Sequence, residues 1–130
     1  MVRAAYAGAV RVLVVDGANV VGSRPDGWWR DRAGAAQRLQ QQLAGADLPA
    51  DRVVLLLEGA ARRGVEPGDR DAVRTVHATA SGDDAIVEEV EAQVRKGHDV
   101  TVVTADRGLR ARVEAAGAAV VGPSWLLQRL

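Results

Sequence analysis

The chain has 130 residues, the size of one compact domain, and its 48% hydrophobic content can support a core. With no Phe and only 3% aromatics, that core must be Val, Leu, Ile and Ala. Seventeen basic residues balance 17 acidic ones and there is no Cys, so bulk charge does not mark a nucleic-acid binder, and disulfides and thiolate–zinc sites are excluded.

Residues 1–9 read as a loose lead-in to a single domain spanning the chain. The first strand is expected over 10–15, a nearly continuous β-branched run that ends in Asp16-Gly17-Ala18-Asn19. A turn-rich stretch, 22–27, precedes Trp28 and Trp29. A helix follows over about 30–44, with Ala36, Leu39 and Leu43 on one face. The second strand is expected over 52–57 and ends at Glu58-Gly59. Residues 59–71 read as a long polar loop, a length that hints at function or mobility. The third strand, 73–78, leads into Ser81-Gly82-Asp83-Asp84, where Ser81 or Asp83 can cap a helix over 84–96. Gly97 suits its C-terminal cap. The fourth strand, 100–104, runs into Ala105-Asp106, and Asp106 can cap a helix over 107–116. A short fifth strand, 119–121, and a terminal helix, 123–130, complete the chain. Strands alternating with helices imply βαβ units and a mostly parallel sheet.

Ligands of open α/β sheets bind beyond the carboxyl ends of the strands. Asp16, Glu58, Asp83 or Asp84, and Asp106 are all expected at that edge. Such a cluster repels itself unless cations sit in it. Hard oxygen donors without Cys favour Mg²⁺ or Mn²⁺ over zinc. A metal there would polarise a phosphoryl group and activate water. No Ser, Cys or Lys nucleophile stands beside a base, so direct attack by water is the simplest chemistry. Each acid also has a plainer use: Asp83 and Asp106 as helix caps, Glu58 at the mouth of a solvent loop.

Three motifs carry a resemblance. Val-Val-Asp16-Gly-Ala-Asn19-Val-Val-Gly, Ser-Gly-Asp83-Asp84-Ala-Ile-Val and Val-Val-Thr104-Ala-Asp106-Arg107-Gly-Leu resemble the NYN branch of the PIN-like nuclease superfamily, closest to its bacterial YacP-like type. The resemblance runs from about residue 10 to 121. It implies a three-layer α/β/α sandwich around a parallel sheet of about five strands in the order 3-2-1-4-5, and a metal-dependent ribonuclease. Asp16, Asp83 or Asp84, and Asp106 would hold Mg²⁺ or Mn²⁺, with Asp83 preferred over Asp84 as the inward acid, and Glu58 would assist or position water. Asn19 matches the family's polar residue after the first acid, and can bind a substrate phosphate, hydrogen-bond the Asp16 carboxylate or stabilise the turn. The chain departs from the pattern at Glu58, where members commonly carry Asp, and at Ala105, where a hydroxyl residue is often seen.

Basic residues beside these acids are candidates for the RNA backbone: Arg62, Arg63 and Arg70 in the long loop, and Arg107 after Asp106. Trp28 or Trp29 can stack on a base or pack on the protein. His77 and His98 read as structural. Three functions follow in order: a ribonuclease using metal-activated water, a catalytically weak RNA-binding or assembly module of the same fold, and a metal-dependent nucleotide phosphohydrolase. An aspartyl-phosphate phosphatase is disfavoured, because no second Asp stands two residues after Asp16. No run approaches the roughly 20 apolar residues of a membrane span, and no signal-peptide pattern opens the chain. A cytoplasmic protein with an RNA partner and no membrane partner is expected. Small PIN-like domains often pair, so a homodimer is one expectation; a ribosomal or antitoxin partner stays open.

Overall fold

The structure, a computed structural model, describes residues 9–130; all of the expected lead-in but its last residue lies outside that range. The elements are β1 (Arg11–Asp16), α1 (Gly17–Gly22), α2 (Arg32–Gly45), β2 (Arg52–Leu57), β3 (Gly68–Arg70), β4 (Val73–His77), α3 (Gly82–Arg95), β5 (Asp99–Val103), α4 (Arg107–Ala115), β6 (Ala119–Val121) and α5 (Pro123–Leu127). Short 3₁₀ segments at Trp28–Arg30 and Gly59–Gly64 supplement them.

The strands form one sheet in the order β3-β4-β2-β1-β5-β6. Its five parallel members, β4-β2-β1-β5-β6, stand in the expected order 3-2-1-4-5. The count of about five is corrected to six, because β3 adds an antiparallel edge strand to β4. β3 reads Gly-Asp-Arg, is exposed throughout and has no apolar alternation, so nothing in its composition announces a strand.

β1 and β2 each bury five of six residues, which is why they read as unbroken apolar runs. Alternate side chains enter opposite faces. Leu13, Val15, Leu55 and Val103 pack with Val20, Ala36, Leu39, Leu43 and Leu126, beneath α1, α2 and α5. Val12, Val14, Leu56 and Val102 pack with Ile86, Val90, Leu109 and Val113, beneath α3 and α4. The result is the three-layer α/β/α sandwich. Among the described residues, no helix is long and apolar enough to cross a membrane.

Two helices depart from the sequence reading: α5 stops at Leu127, short of the expected 130, and α1 is new. Residues 17–22, to which the sequence reading assigns no element before the turn-rich stretch 22–27, form α1, whose Gly17, Val20 and Val21 are buried. A Cβ at Gly17 would stand 2.5 Å from the Leu56 carbonyl oxygen and 2.9 Å from Leu57 Cδ2. Only glycine lets the chain turn into a helix this close to β2. The helix is too short, and too flanked by Gly, to show a helical period, so packing rather than propensity makes it.

Candidate active site at the carboxyl edge of the sheet

Parallel register brings the strand ends together. Asp16 pairs with Leu56, Val15 with Val103, and Leu57 with His77. Asp16, Glu58 and Thr104 therefore leave three neighbouring strands at one edge. Asp83 and Asp106 reach the same edge from the starts of α3 and α4.

Asp16 is the most constrained acid. It is 9% exposed, and its Oδ2 accepts a 2.9 Å hydrogen bond from the Thr104 hydroxyl, itself 2% exposed. The Asn19 amide donates to Asp16 Oδ1 at 3.4 Å, so the same carboxylate caps α1. Burial pushes the Asp16 carboxyl above the ordinary aspartate range, and the charges of Asp83 and Glu58 push the same way. The bonds from Thr104 and Asn19 oppose that rise.

Thr104 also accepts from the Asp106 amide at 3.2 Å, and Asn19 Oδ1 accepts from the Ala105 amide at 2.8 Å. The first acid and the β5–α4 turn are thereby latched at two points. Asn19 braces this turn instead of reaching outward with its carbonyl. The sequence marks Thr104 only as the end of a strand motif. The available signal was a hydroxyl residue closing an apolar strand two positions before an acid.

Asp83 is half-buried, and its carboxyl is also raised: by burial first, then by the charges of Asp106 and Glu58. Arg112 partly offsets this. Ser81, not Asp83, caps α3, its hydroxyl accepting from the Asp84 amide at 3.3 Å. Asp84 leaves the cluster: its Oδ1 accepts from Arg112 on α4 at 2.9 Å in an exposed ion pair. Asp106 is exposed and caps α4, accepting from the Leu109 amide at 2.9 Å. Glu58 is exposed, and a methyl at Gly82 would overlap its carboxylate; Gly82 therefore leaves the space Glu58 occupies.

The donor set suits a hard cation, being carboxylates that raise one another's proton affinity. Among the described residues, however, no three His, Cys, Asp or Glu groups are gathered closely enough to hold a metal as they stand. A magnesium site needs only one or two carboxylates, with water completing the shell.

The basic candidates divide. Arg62 is turned back on the protein, donating to the Gly59 carbonyl at 3.0 Å and the Ala78 carbonyl at 3.2 Å. Arg63 lies beside it on a depression of about 490 Å³ that also touches His77. Arg107 opens α4 and is exposed next to Asp106. Arg70 is not brought to this edge: it pairs with Val73 at the amino end of β4 and sits 3.8 Å from the Asp71 carboxylate. Of the tryptophans, Trp28 packs on the core, whereas Trp29 is 55% exposed. His77 meets the Val65 carbonyl at 2.7 Å, and His98 meets Gln93 Oε1 at 2.7 Å.

Acids gathered at the carboxyl edge of a mostly parallel, doubly wound sheet define an α/β sandwich with a candidate site at its strand ends. Two solved structures of Rae1 (YacP) from Bacillus subtilis share the fold. One matches with a TM-score of 0.72 and 20% identity over 90% of this chain and 71% of that one. A variant of the same protein gives 0.73 and 19% over 91% and 73%. At these identities the shared property is the fold, and it is the fold of the YacP type that the three motifs resemble. No family model matches the chain. No curated protein matches it significantly.

Proposed function

We propose that the chain is a metal-dependent ribonuclease whose centre is the acidic edge. The observation that carries this reading is the gathering of Asp16, Glu58, Asp83 and Asp106 at one edge of a Rae1-like fold, where Asp83 and Glu58 act on Asp16, and Asp106 and Glu58 act on Asp83. Two of these acids have raised proton affinity, a feature that concentrates at functional sites. Asp16, Asp83 and Asp106 would hold Mg²⁺ or Mn²⁺, which when bound supplies Lewis acidity to a phosphoryl oxygen and an activated water. Thr104 and Asn19 fix Asp16 and the Asp106 turn relative to each other. Arg63 and Arg107 flank the edge and offer cations to the phosphate backbone.

The test is incubation of single-stranded RNA with the protein and Mn²⁺ or Mg²⁺, beside EDTA and Asp16→Asn controls. Cleavage that needs metal and Asp16 supports the reading. A second reading, a binding module without cleavage, is favoured by one observation: no ready-made three-ligand group exists among the described residues. Intact RNA that shifts on a gel in every condition would select it.

A further inference from the structure

Glu58 faces two ways. Besides its coupling to Asp16 and Asp83, it lines a cavity of about 420 Å³ bounded by α1, Trp28, Arg32 and residues 57–61. The volume lies in the range of small-ligand pockets. Val21 and Leu57 supply apolar lining, Trp28 and Arg32 supply an aromatic ring and a cation, and Glu58 borders the cavity with its carboxylate resting against Gly82. The Arg32 guanidinium lies over Trp28, 4.9 Å from the ring centroid. Among the described residues, no hydrogen bond or ion pair engages the Glu58 carboxylate.

These features select a planar, polar-edged ligand. Unstacked bases are held on aromatic rings and on guanidinium planes, and the stacked Trp28–Arg32 pair offers such a wall. A carboxylate only accepts hydrogen bonds. Guanine presents two adjacent donors, N1–H and the N2 amino group, which one carboxylate can take together. Adenine and cytosine present one amino group on that edge. Uracil presents one N–H between two carbonyl oxygens, which a carboxylate repels.

We propose that this cavity holds one unstacked base of the RNA next to the acidic edge, and that Glu58 selects guanine there. The proposal rests on the ribonuclease reading for the identity of the ligand, and assigns Glu58 to substrate recognition.

The test measures binding, not cleavage. Short uridine oligonucleotides, with or without one guanine, are titrated by fluorescence anisotropy against the Asp16→Asn protein, with magnesium to screen the acids. One guanine is expected to tighten binding about tenfold, as for a bidentate base contact. One adenine or cytosine is expected to do less. Adding Glu58→Gln should erase the guanine preference; since Glu58 is exposed, the fold should survive, as a thermal melt will check. Adding Arg32→Ala should weaken all oligonucleotides several-fold while keeping the preference, because stacking tolerates any base. Equal affinity for all four bases, a preference that survives Glu58→Gln, or no binding at all would overturn the pocket. Cleavage by the wild-type chain without base-selective binding would overturn the pocket and leave the nuclease reading intact. Base-selective binding with no cleavage by the wild-type chain would do the reverse.

Discussion

The two edges of the sheet treat the same residue type in opposite ways. At the amino edge, Asp51 accepts from the Arg11 amide at 2.8 Å and lies 3.4 Å from its guanidinium. Those hydrogen bonds lower its carboxyl below the ordinary range. Nearby, Arg74 meets Glu89 at 3.4 Å, and a cavity of about 560 Å³ mixes Asp51 and Asp69 with Arg52, Arg74 and Lys96. At the carboxyl edge, Asp16 lies among acids and its carboxyl is raised. One edge has matched charge and serves the fold. The other holds unmatched charge at a cost in stability, which is what a site for a cationic ligand requires.

Asp16→Asn should sharpen that contrast most. Cleavage should fall by about a thousandfold or more, since about 4 kcal/mol of transition-state stabilisation is a typical loss for one electrostatic group. Stability should move the other way. The folded Asp16 carboxyl is raised, so its stabilising share is fully present below the unfolded pKa and is lost as pH rises through the folded value. Asn keeps an acceptor for the Asn19 amide and turns its amide nitrogen to donate to the Thr104 oxygen, so both contacts persist while that loss is removed. The variant should therefore melt higher than wild type at neutral pH, with the gap closing in acid. Asp51→Asn should give the mirror image: unchanged cleavage and a lower melting temperature. The Asp51 contribution is present above the unfolded pKa and is lost as pH falls through the depressed folded value. Melting curves of both variants from acid to neutral pH check the signs.

Gly17→Ala comes next. The added methyl meets backbone, the Leu56 carbonyl, which cannot rotate away. The expected loss is about 3 kcal/mol, the upper range for overpacking, read by denaturant unfolding. A near-neutral result would show that α1 can slide on β2 and that Asp16 is not rigidly aimed.

How far the sequence reveals each edge follows from what builds it. The buried parallel strands were readable because both faces are covered and their composition is continuously apolar, as in Arg52–Leu57, whose bounds match the expected 52–57. The acids at their ends were readable because strand ends in this architecture share an edge. What stayed hidden depends on partners distant in sequence. The Thr104 hydroxyl meets Asp16 across 88 positions, and Ala105 meets Asn19 across 86. Composition around 59–71 likewise could not distinguish a loop from a 3₁₀ turn and an edge hairpin, because that stretch owes its shape to neighbours: a methyl at Gly64 would overlap the Ala33 carbonyl of α2. Arg62 was exposed in pattern but tied to Ala78 in space.

Thr104→Val tests the latch at the carboxyl edge. The swap removes the donor to Asp16 and the acceptor for the Asp106 amide, both at or near burial. Losing a hydrogen bond to a buried group should cost about 2 kcal/mol. The Asp16 carboxyl should rise further, because the Thr104 bond is the largest influence lowering it. The acid limb of the cleavage–pH profile should then move to higher pH. Thr104→Ser should restore it, which a packing defect alone would not predict.

The smallest effect is expected at the amino edge, where the β3–β4 hairpin turns through Asp71 and Ala72 at φ of 52° and 65°. Two positive φ values in a two-residue connection are the conformation that Asn-Gly or Asp-Gly normally serves. Asp tolerates it, but Ala carries the Cβ clash without a compensating side-chain bond. Ala72→Gly should therefore stabilise the protein by roughly 0.5–1 kcal/mol, relief of the clash being partly offset by glycine's greater freedom when unfolded. Because Arg70 and Ala72 lie at the opposite edge from Asp16, cleavage should not change. A gain in stability with altered cleavage would mean that the two edges communicate through β4 and β2, and that the division between a structural edge and a working one is too sharp.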